Sequence, residues 1–106
     1  MRKVEEKMLQ ALRERKSAKV CQNTYVQVID NEATAVYLHG NKIALYTCGK
    51  LYVSLRGFNS PTTRSRLRAL GVAITCKDFT PYIGGVRVSS CGIYEIDRHA
   101  GTLVVA

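Results

Sequence analysis

The residues best suited to chemistry lie in one short segment, Thr62-Thr63-Arg64-Ser65-Arg66-Leu67-Arg68. A helix that begins here would place free backbone amides and threonine hydroxyls beside the Arg64 guanidinium. These groups bind phosphate, because a helix N-terminus attracts anions and a guanidinium donates paired hydrogen bonds. In such a helix Arg64 and Arg68 share a face, with Arg66 towards the opposite side. The segment predicts a phosphate-binding surface; the alternative is a capped helix whose arginines are only solvated.

The charge of the chain is unevenly distributed. The formal net charge is +8, from sixteen Lys or Arg and eight Asp or Glu. No acidic residue occurs between Ala33 and Lys77, where seven basic residues occur: Lys42, Lys50, Arg56, Arg64, Arg66, Arg68 and Lys77. An uncompensated positive surface attracts polyanions or acidic protein surfaces. Four aromatic residues near this segment could stack on bases if they are exposed: Tyr37, Tyr46, Tyr52 and Phe58.

Groups that would support catalysis are sparse. The chain has no phosphate-binding glycine motif, nucleophile elbow or metal-spaced histidine pair. His39 and His99 are distant in sequence, so a Cys–His dyad would depend on the fold to assemble it. Glu95 and Asp97 are predicted to share a strand face, where solvated carboxylates are favoured over an acid–base pair. We therefore expect a protein that is not an enzyme and that uses no cofactor and no metal.

The size of the chain, 106 residues, suits a single domain. A chain of this length buries roughly 65% of its unfolded surface and can form its own core. Its four cysteines, Cys21, Cys48, Cys76 and Cys91, include no C-x-x-C pair, so reduced thiols are favoured over disulfides. No apolar run reaches the ~18 residues of a membrane span, and the charged N-terminus lacks the apolar segment of a secretory signal. We expect a cytoplasmic protein that does not contact a membrane.

Two helices are predicted to position these residues. Residues 1–19 form an N-terminal helix, because Arg2 to Lys16 has an apolar stripe, an acidic start and a basic end. A short central helix near 61–70 begins at Ser60-Pro61 or at the threonines that follow. It ends at Gly71, a plausible left-handed cap.

The rest of the chain, residues 23–106, alternates with period two and predicts a β-rich body. An antiparallel meander is expected over Tyr25 to Ile29, Ala33 to His39, Lys42 to Thr47 and Leu51 to Leu55, with a tight turn at Gly40-Asn41. Later strands are expected at Val72 to Lys77, Val86 to Val88, Ile93 to Ile96 and Thr102 to Val105, with a loop over Asp78 to Gly85. The predicted fold class is α+β: a single domain over 1–106, mostly antiparallel sheet, with an N-terminal helix and one short central helix.

Two segments resemble a family of small accessory proteins encoded by tailed bacteriophages: Tyr37-Leu38-His39-Gly40-Asn41-Lys42-Ile43-Ala44 and Thr62-Thr63-Arg64-Ser65-Arg66-Leu67-Arg68-Ala69-Leu70. Proteins of that family pair a Leu-His-Gly-Asn-x-Ile-Ala hairpin with a Thr-Thr-x-x-Arg-Leu helix start. This chain departs from them at Phe58, where they often have tryptophan, and at Arg68, where they often have asparagine. The resemblance implies a phage accessory protein that acts in the host bacterial cytoplasm, and it brings no activity and no site residues.

The leading hypothesis is a non-enzymatic phage accessory protein that binds nucleic acid through a basic surface. The residues expected to bind are Arg64, Arg66, Arg68, Thr62 and Thr63, with Lys42, Lys50 and Arg56 adding long-range attraction. An alternative is an inhibitor that docks the same surface on an acidic host enzyme or defence protein. A second alternative is an oligomeric structural protein. The sequence leaves open the identity of the partner and the oligomeric state.

Overall fold

The computed structural model describes residues 3–104, with a Cα radius of gyration of 12.8 Å. These residues form two helices, α1 (Lys3–Glu14) and α2 (Pro61–Ala69). They also form nine strands: β1 (Ala18–Lys19), β2 (Thr24–Val28), β3 (Ala33–Leu38), β4 (Asn41–Thr47), β5 (Lys50–Val53), β6 (Ile74–Lys77), β7 (Thr80–Ile83), β8 (Val86–Arg87) and β9 (Tyr94–Ile96). The predicted ends at Arg2 and Val105 lie outside the described residues. The predicted α+β class with mostly antiparallel sheet is confirmed.

Both ends of α2 follow from its sequence. Ser60 precedes the helix in an extended conformation, and its side-chain oxygen accepts a hydrogen bond from the Thr63 amide at 3.1 Å. Pro61 occupies the first turn, where no amide partner is needed. At the other end, Gly71 has a φ of 94°, and its amide donates to the Arg68 carbonyl at 2.9 Å. The predicted cap at Gly71 is therefore confirmed.

The Ser60 cap gives a first testable prediction. We expect Ser60→Ala to lower the free energy of unfolding by about 1 kcal/mol, because the Thr63 amide loses its acceptor. Urea denaturation followed by circular dichroism measures the change. Ser60→Asp is the matched control, since aspartate also accepts from the first turn. Equal stabilities of the alanine and aspartate variants would contradict this account of the cap.

The larger sheet has six antiparallel strands in the order β1-β2-β3-β4-β5-β9. The predicted meander is confirmed, but its first tight turn is displaced by one residue. Leu38 pairs with Asn41, so the two turn residues are His39 and Gly40, with φ of 51° and 78°, instead of Gly40-Asn41. Such a turn needs two positive φ values, and histidine tolerates one more readily than most side chains. The two-residue strand β1 lies within the predicted N-terminal helix (1–19). The prediction was too long, because α1 ends at Glu14 and Arg15 has a φ of 52°, which does not continue a right-handed helix.

The smaller sheet has the order β6-β7-β8 and corrects the predicted loop over Asp78 to Gly85. That segment contains strand β7 between two tight turns, Asp78-Phe79 and Gly84-Gly85. Its aspartate, proline and glycines are typical of a loop. Here, however, each pair of turn residues reverses the chain between two adjacent strands. Of the predicted last strand, Leu103 forms an isolated bridge with Ile96.

The helices pack on one face of the larger sheet. Val26, Val36, Ala44 and Val53 are opposite one another across β2 to β5, and all are buried. This row belongs to the one hydrophobic cluster of the described residues, which also contains Met8 of α1 and Leu67 of α2. The sheet is therefore covered on the side of the valines. Side chains that alternate with them lie on the other side.

Candidate functional site

Arg66 is buried, contrary to the expectation that it lies on a basic surface. Its side chain is 5% exposed, and its Nη1 lies 2.8 Å from Oε2 of Glu5 on α1. Its Nε donates to the Thr24 hydroxyl on β2 at 3.1 Å. Ser65 also donates to Glu5 Oε2, at 2.6 Å. Arg66 thus joins α2 to α1 and to the sheet, because its side of the short helix faces the core and not the solvent.

The N-terminus of α2 is occupied by groups of the chain itself. Thr63 is buried, and both its amide and its hydroxyl interact with the Ser60 hydroxyl. The Arg64 amide donates to the Ser60 carbonyl at 3.1 Å. Thr62 is half-buried in the same turn. The expected cradle of free amides and hydroxyls is therefore largely used in capping the helix.

The two remaining arginines of the segment also contact the backbone. Arg64 is half-buried, and its Nη1 donates to the carbonyl of Asn59 at 3.0 Å. Arg68 is exposed, and its Nε donates to the carbonyl of Ile74 at 2.9 Å. Arg64, Arg66 and Arg68 thus do not converge on one exposed surface. A role of these residues in binding a partner stays a prediction.

A different set of residues forms a row across the uncovered face of the larger sheet. Lys19 is opposite Tyr25, Tyr25 is opposite Tyr37, and Tyr37 is opposite Lys42. Residues directly opposite one another in antiparallel strands lie on the same side of the sheet. The four therefore form one row over β1 to β4, called here the tyrosine row. Tyr25 is 41% exposed, Lys19 is exposed, and the other two are half-buried.

A second row runs parallel to the tyrosine row on the same face. It consists of Gln27, Ala35, Leu45, Tyr52 and Glu95, each opposite the next. Tyr52 and Glu95 are half-buried. The side chains of the two rows are thus aromatic, amide and aliphatic, apart from the two lysines of the tyrosine row and Glu95, which is the one carboxylate within the two rows.

Two shallow grooves border these rows. The first, of about 540 Å³, is lined by Lys19, Tyr25, Gln27, Tyr37 and His39, among others. The second, of about 250 Å³, is lined by Lys42, Leu45, Tyr52, Arg56 and Ile93, among others. The structure therefore brings together two basic residues expected from the sequence, Lys42 and Arg56, and adds Lys19. Lys50 lines neither of these two grooves and is exposed.

The four aromatic residues considered from the sequence do not lie on one face of the sheet. Tyr37 and Tyr52 lie on the uncovered face, whereas Tyr46 is opposite the buried Leu51 on the other face. Burial raises the pKa of the Tyr46 hydroxyl, against the opposing effect of the Arg98 charge, whose Cζ is 5.2 Å from the ring centroid. Phe58 is 60% exposed, beyond the end of β5.

Sequence reasoning missed Tyr25 and Lys19. The signal for Tyr25 was present in its predicted strand, where it alternates with the apolar Val26 and shares a face with Gln27. Lys19 offered no such signal, because β1 has only two residues. Nothing in one strand shows that Tyr25 and Tyr37 become neighbours.

Cys21 lies at the edge of the first groove. Burial disfavours its thiolate, but hydrogen bonds from the Asn23 backbone and from Thr24, with the positive charge of Arg66, outweigh burial and lower the pKa of the thiol. In the structure the thiol donates to Asn23 Oδ1 at 2.8 Å.

Residues 3–104 contain one ion pair, between Arg66 and Glu5, so the lysines and arginines of the uncovered face are not paired with carboxylates in that range. Over the same residues, no group of His, Cys, Asp and Glu is placed to hold a metal ion. Neither helix has the length and apolar character needed to cross a bilayer.

Comparison with known proteins places the chain in a protein family. The model of the Kyanoviridae Gp96 protein family matches residues 1–96. No curated protein and no solved structure matches the chain.

Proposed function

We propose that this chain, which belongs to the Kyanoviridae Gp96 protein family and is a phage protein, is a non-enzymatic accessory protein that binds single-stranded nucleic acid. The observation that carries the proposal is the tyrosine row, with a lysine at each end of two adjacent aromatic rings. The place of action is the cytoplasm of the bacterial host.

The two tyrosines suit unpaired bases. Every base has a π face, so an aromatic side chain on an open sheet stacks on it with little dependence on sequence. In a duplex the same faces are already stacked within the helix. An open sheet face with exposed aromatic rings therefore favours a single strand over a duplex.

The basic residues suit the phosphates of the same strand. Lys19 and Lys42 end the tyrosine row, and Arg56 borders the groove next to Lys42. Glu95 ends the second row on β9, which disfavours a polyanion at that edge. The nucleic acid strand is therefore expected to run across the sheet from β1 to β4 and to leave it near Arg56. The exposed Lys50 and Arg68 add long-range attraction.

Titration of the protein into a fluorescein-labelled oligothymidylate of about 12 nucleotides tests the proposal. We expect binding that weakens as salt rises, because each neutralised phosphate releases counterions. Lys42→Gln should reduce the slope of log K against log salt by about 0.7. Lys7→Gln, an exposed change on the helix that covers the other face, is the control and should alter the slope less.

The same titration with a duplex of equal length supplies the contrast. The single strand should bind more tightly, because the tyrosines cannot stack on paired bases. Absence of binding to single-stranded DNA and RNA at about 50 mM salt would contradict the proposal.

A second candidate function is inhibition of an acidic host protein. It is favoured by a groove of about 620 Å³ between α1 and the covered face of the sheet. Leu9, Leu12 and Tyr46 line the groove with four basic residues, Arg13, Arg15, Lys50 and Arg98, and with Glu6 and Glu32. Affinity capture from nuclease-treated host lysate tests it: a stoichiometric host protein lost on Arg98→Glu supports inhibition, and its absence counts against it.

A further inference from the structure

The turn between β6 and β7 has an unusual residue at its second position. Four two-residue turns join paired strands of the described chain, and three of them have glycine second: His39-Gly40, Cys48-Gly49 and Gly84-Gly85. The fourth is Asp78-Phe79, with φ of 50° and 63°. A bulky side chain is strained in this left-handed region, where glycine is not. The chain therefore places phenylalanine where its backbone geometry favours glycine.

Packing within the fold does not offset this strain. Phe79 is 96% exposed, so its ring contacts almost nothing in the chain. Val86, next to the glycine turn of the same small sheet, is 54% exposed by comparison. The ring of Phe79 therefore contributes little to folding, and it is accessible to a partner.

A set of hydrogen bonds holds the Phe79 turn in place. Asn59 donates from its side chain to the Phe79 carbonyl at 3.1 Å. Arg64 Nη1 donates in turn to the carbonyl of Asn59 at 3.0 Å and to its side-chain oxygen. The turn is thus fixed to the start of α2, and Arg64 takes part in positioning it. A turn whose backbone is already held in place loses less conformational entropy when its side chain binds a partner.

The Phe79 turn is close to the end of the uncovered sheet face. Arg56 lines the groove that also contains Lys42 and Tyr52. Asn59 follows Arg56 by three residues, which limits the distance between their Cα atoms to about 11 Å. The Phe79 carbonyl is in hydrogen-bonding contact with Asn59. A nucleic acid strand that leaves the sheet near Arg56 therefore reaches Phe79 within a few nucleotides.

The charges around the turn also suit a nucleic acid strand. Lys77 precedes the turn and Arg87 lies on β8, and both are exposed. Asp78 is the carboxylate within the turn itself, and it is exposed as well. We propose, on the basis of the proposed function, that Phe79 stacks on an unpaired base and extends the single-strand site from the sheet to the β6–β7 turn.

A length series of labelled oligothymidylates, from about 4 to about 16 nucleotides, tests this extension. With the wild-type protein, affinity should rise when the oligonucleotide becomes long enough to reach Phe79. Phe79→Ala should remove that rise, a loss of about 5- to 150-fold for the longest oligonucleotides, and should leave the shortest unaffected. Val86→Ala is the matched control on the same small sheet and should keep the wild-type length dependence.

A second variant separates binding from folding. Phe79→Gly relieves the strain of the left-handed backbone, so it should raise the midpoint of thermal unfolding by a few degrees while it weakens binding as the alanine variant does. A lower midpoint would show that the ring supports the fold and would overturn the inference. Equal binding by wild type and Phe79→Ala at every length would overturn it too, while leaving the proposed function intact. Absence of wild-type binding at all lengths would reject both.

Discussion

Arg66→Met is expected to lower the free energy of unfolding by about 3–5 kcal/mol, because it removes the guanidinium from a buried carboxylate. Glu5 and Arg66 are both about 5% exposed, and their atoms are 2.8 Å apart. The variant also deprives the Thr24 hydroxyl of a donor. Urea denaturation followed by circular dichroism measures the loss. The expected size reflects the burial of the pair, since an exposed pair contributes little.

Two further variants control this prediction. Arg68→Met changes the exposed arginine two residues along the same helix and should cost only about 1 kcal/mol, the contribution of one hydrogen bond. Arg66→Met combined with Glu5→Leu removes both charges, so it should be less destabilised than Arg66→Met alone. Similar losses for Arg66→Met and Arg68→Met would contradict the role of the pair.

Tyr25→Ala and Tyr37→Ala should each weaken single-strand binding by about 1–3 kcal/mol, the usual contribution of one stacked base. The two rings are opposite each other across β2 and β3, so the double variant should lose most of the stacking energy. Fluorescence anisotropy with a labelled oligonucleotide measures the change. Because neither side chain is in the hydrophobic cluster, the fold should tolerate both changes.

The phenylalanine variants supply the control for the tyrosines. Tyr25→Phe and Tyr37→Phe keep the rings and remove only the hydroxyls, so they should bind nearly as well as the wild type. Alanine variants that stay folded and bind with wild-type affinity would show that the tyrosine row is not the contact surface.

Much of the fold could be predicted because local patterns determined it. The apolar stripe of α1, the cap at Ser60 and the left-handed Gly71 are each visible within a few residues of sequence. The meander followed from period-two alternation. The prediction of a loop from Asp78 to Gly85 was wrong. Turn-forming residues occur at both ends of this segment, and the strand between them has only four residues.

The candidate site was less predictable because it depends on contacts distant in sequence. Arg66 is 61 residues from Glu5, and no local pattern indicated that a basic residue in a polar helix is buried. The tyrosine row depends on the pairing register of four strands, and a slip of one residue would move Tyr37 to the other face. The register also shifts between Val36 and Tyr37, so that Lys42, and not Ile43, lies opposite Tyr37.

The most direct test of the central claim is the change in amide chemical shifts of the labelled protein during titration with a single-stranded oligonucleotide. We predict that the largest changes occur at Tyr25, Tyr37 and Lys42, on the uncovered face. Residues of α1, such as Lys7, should change little, because this helix packs on the other face. Largest changes on α1 and α2, with the tyrosine row unaffected, would contradict the account.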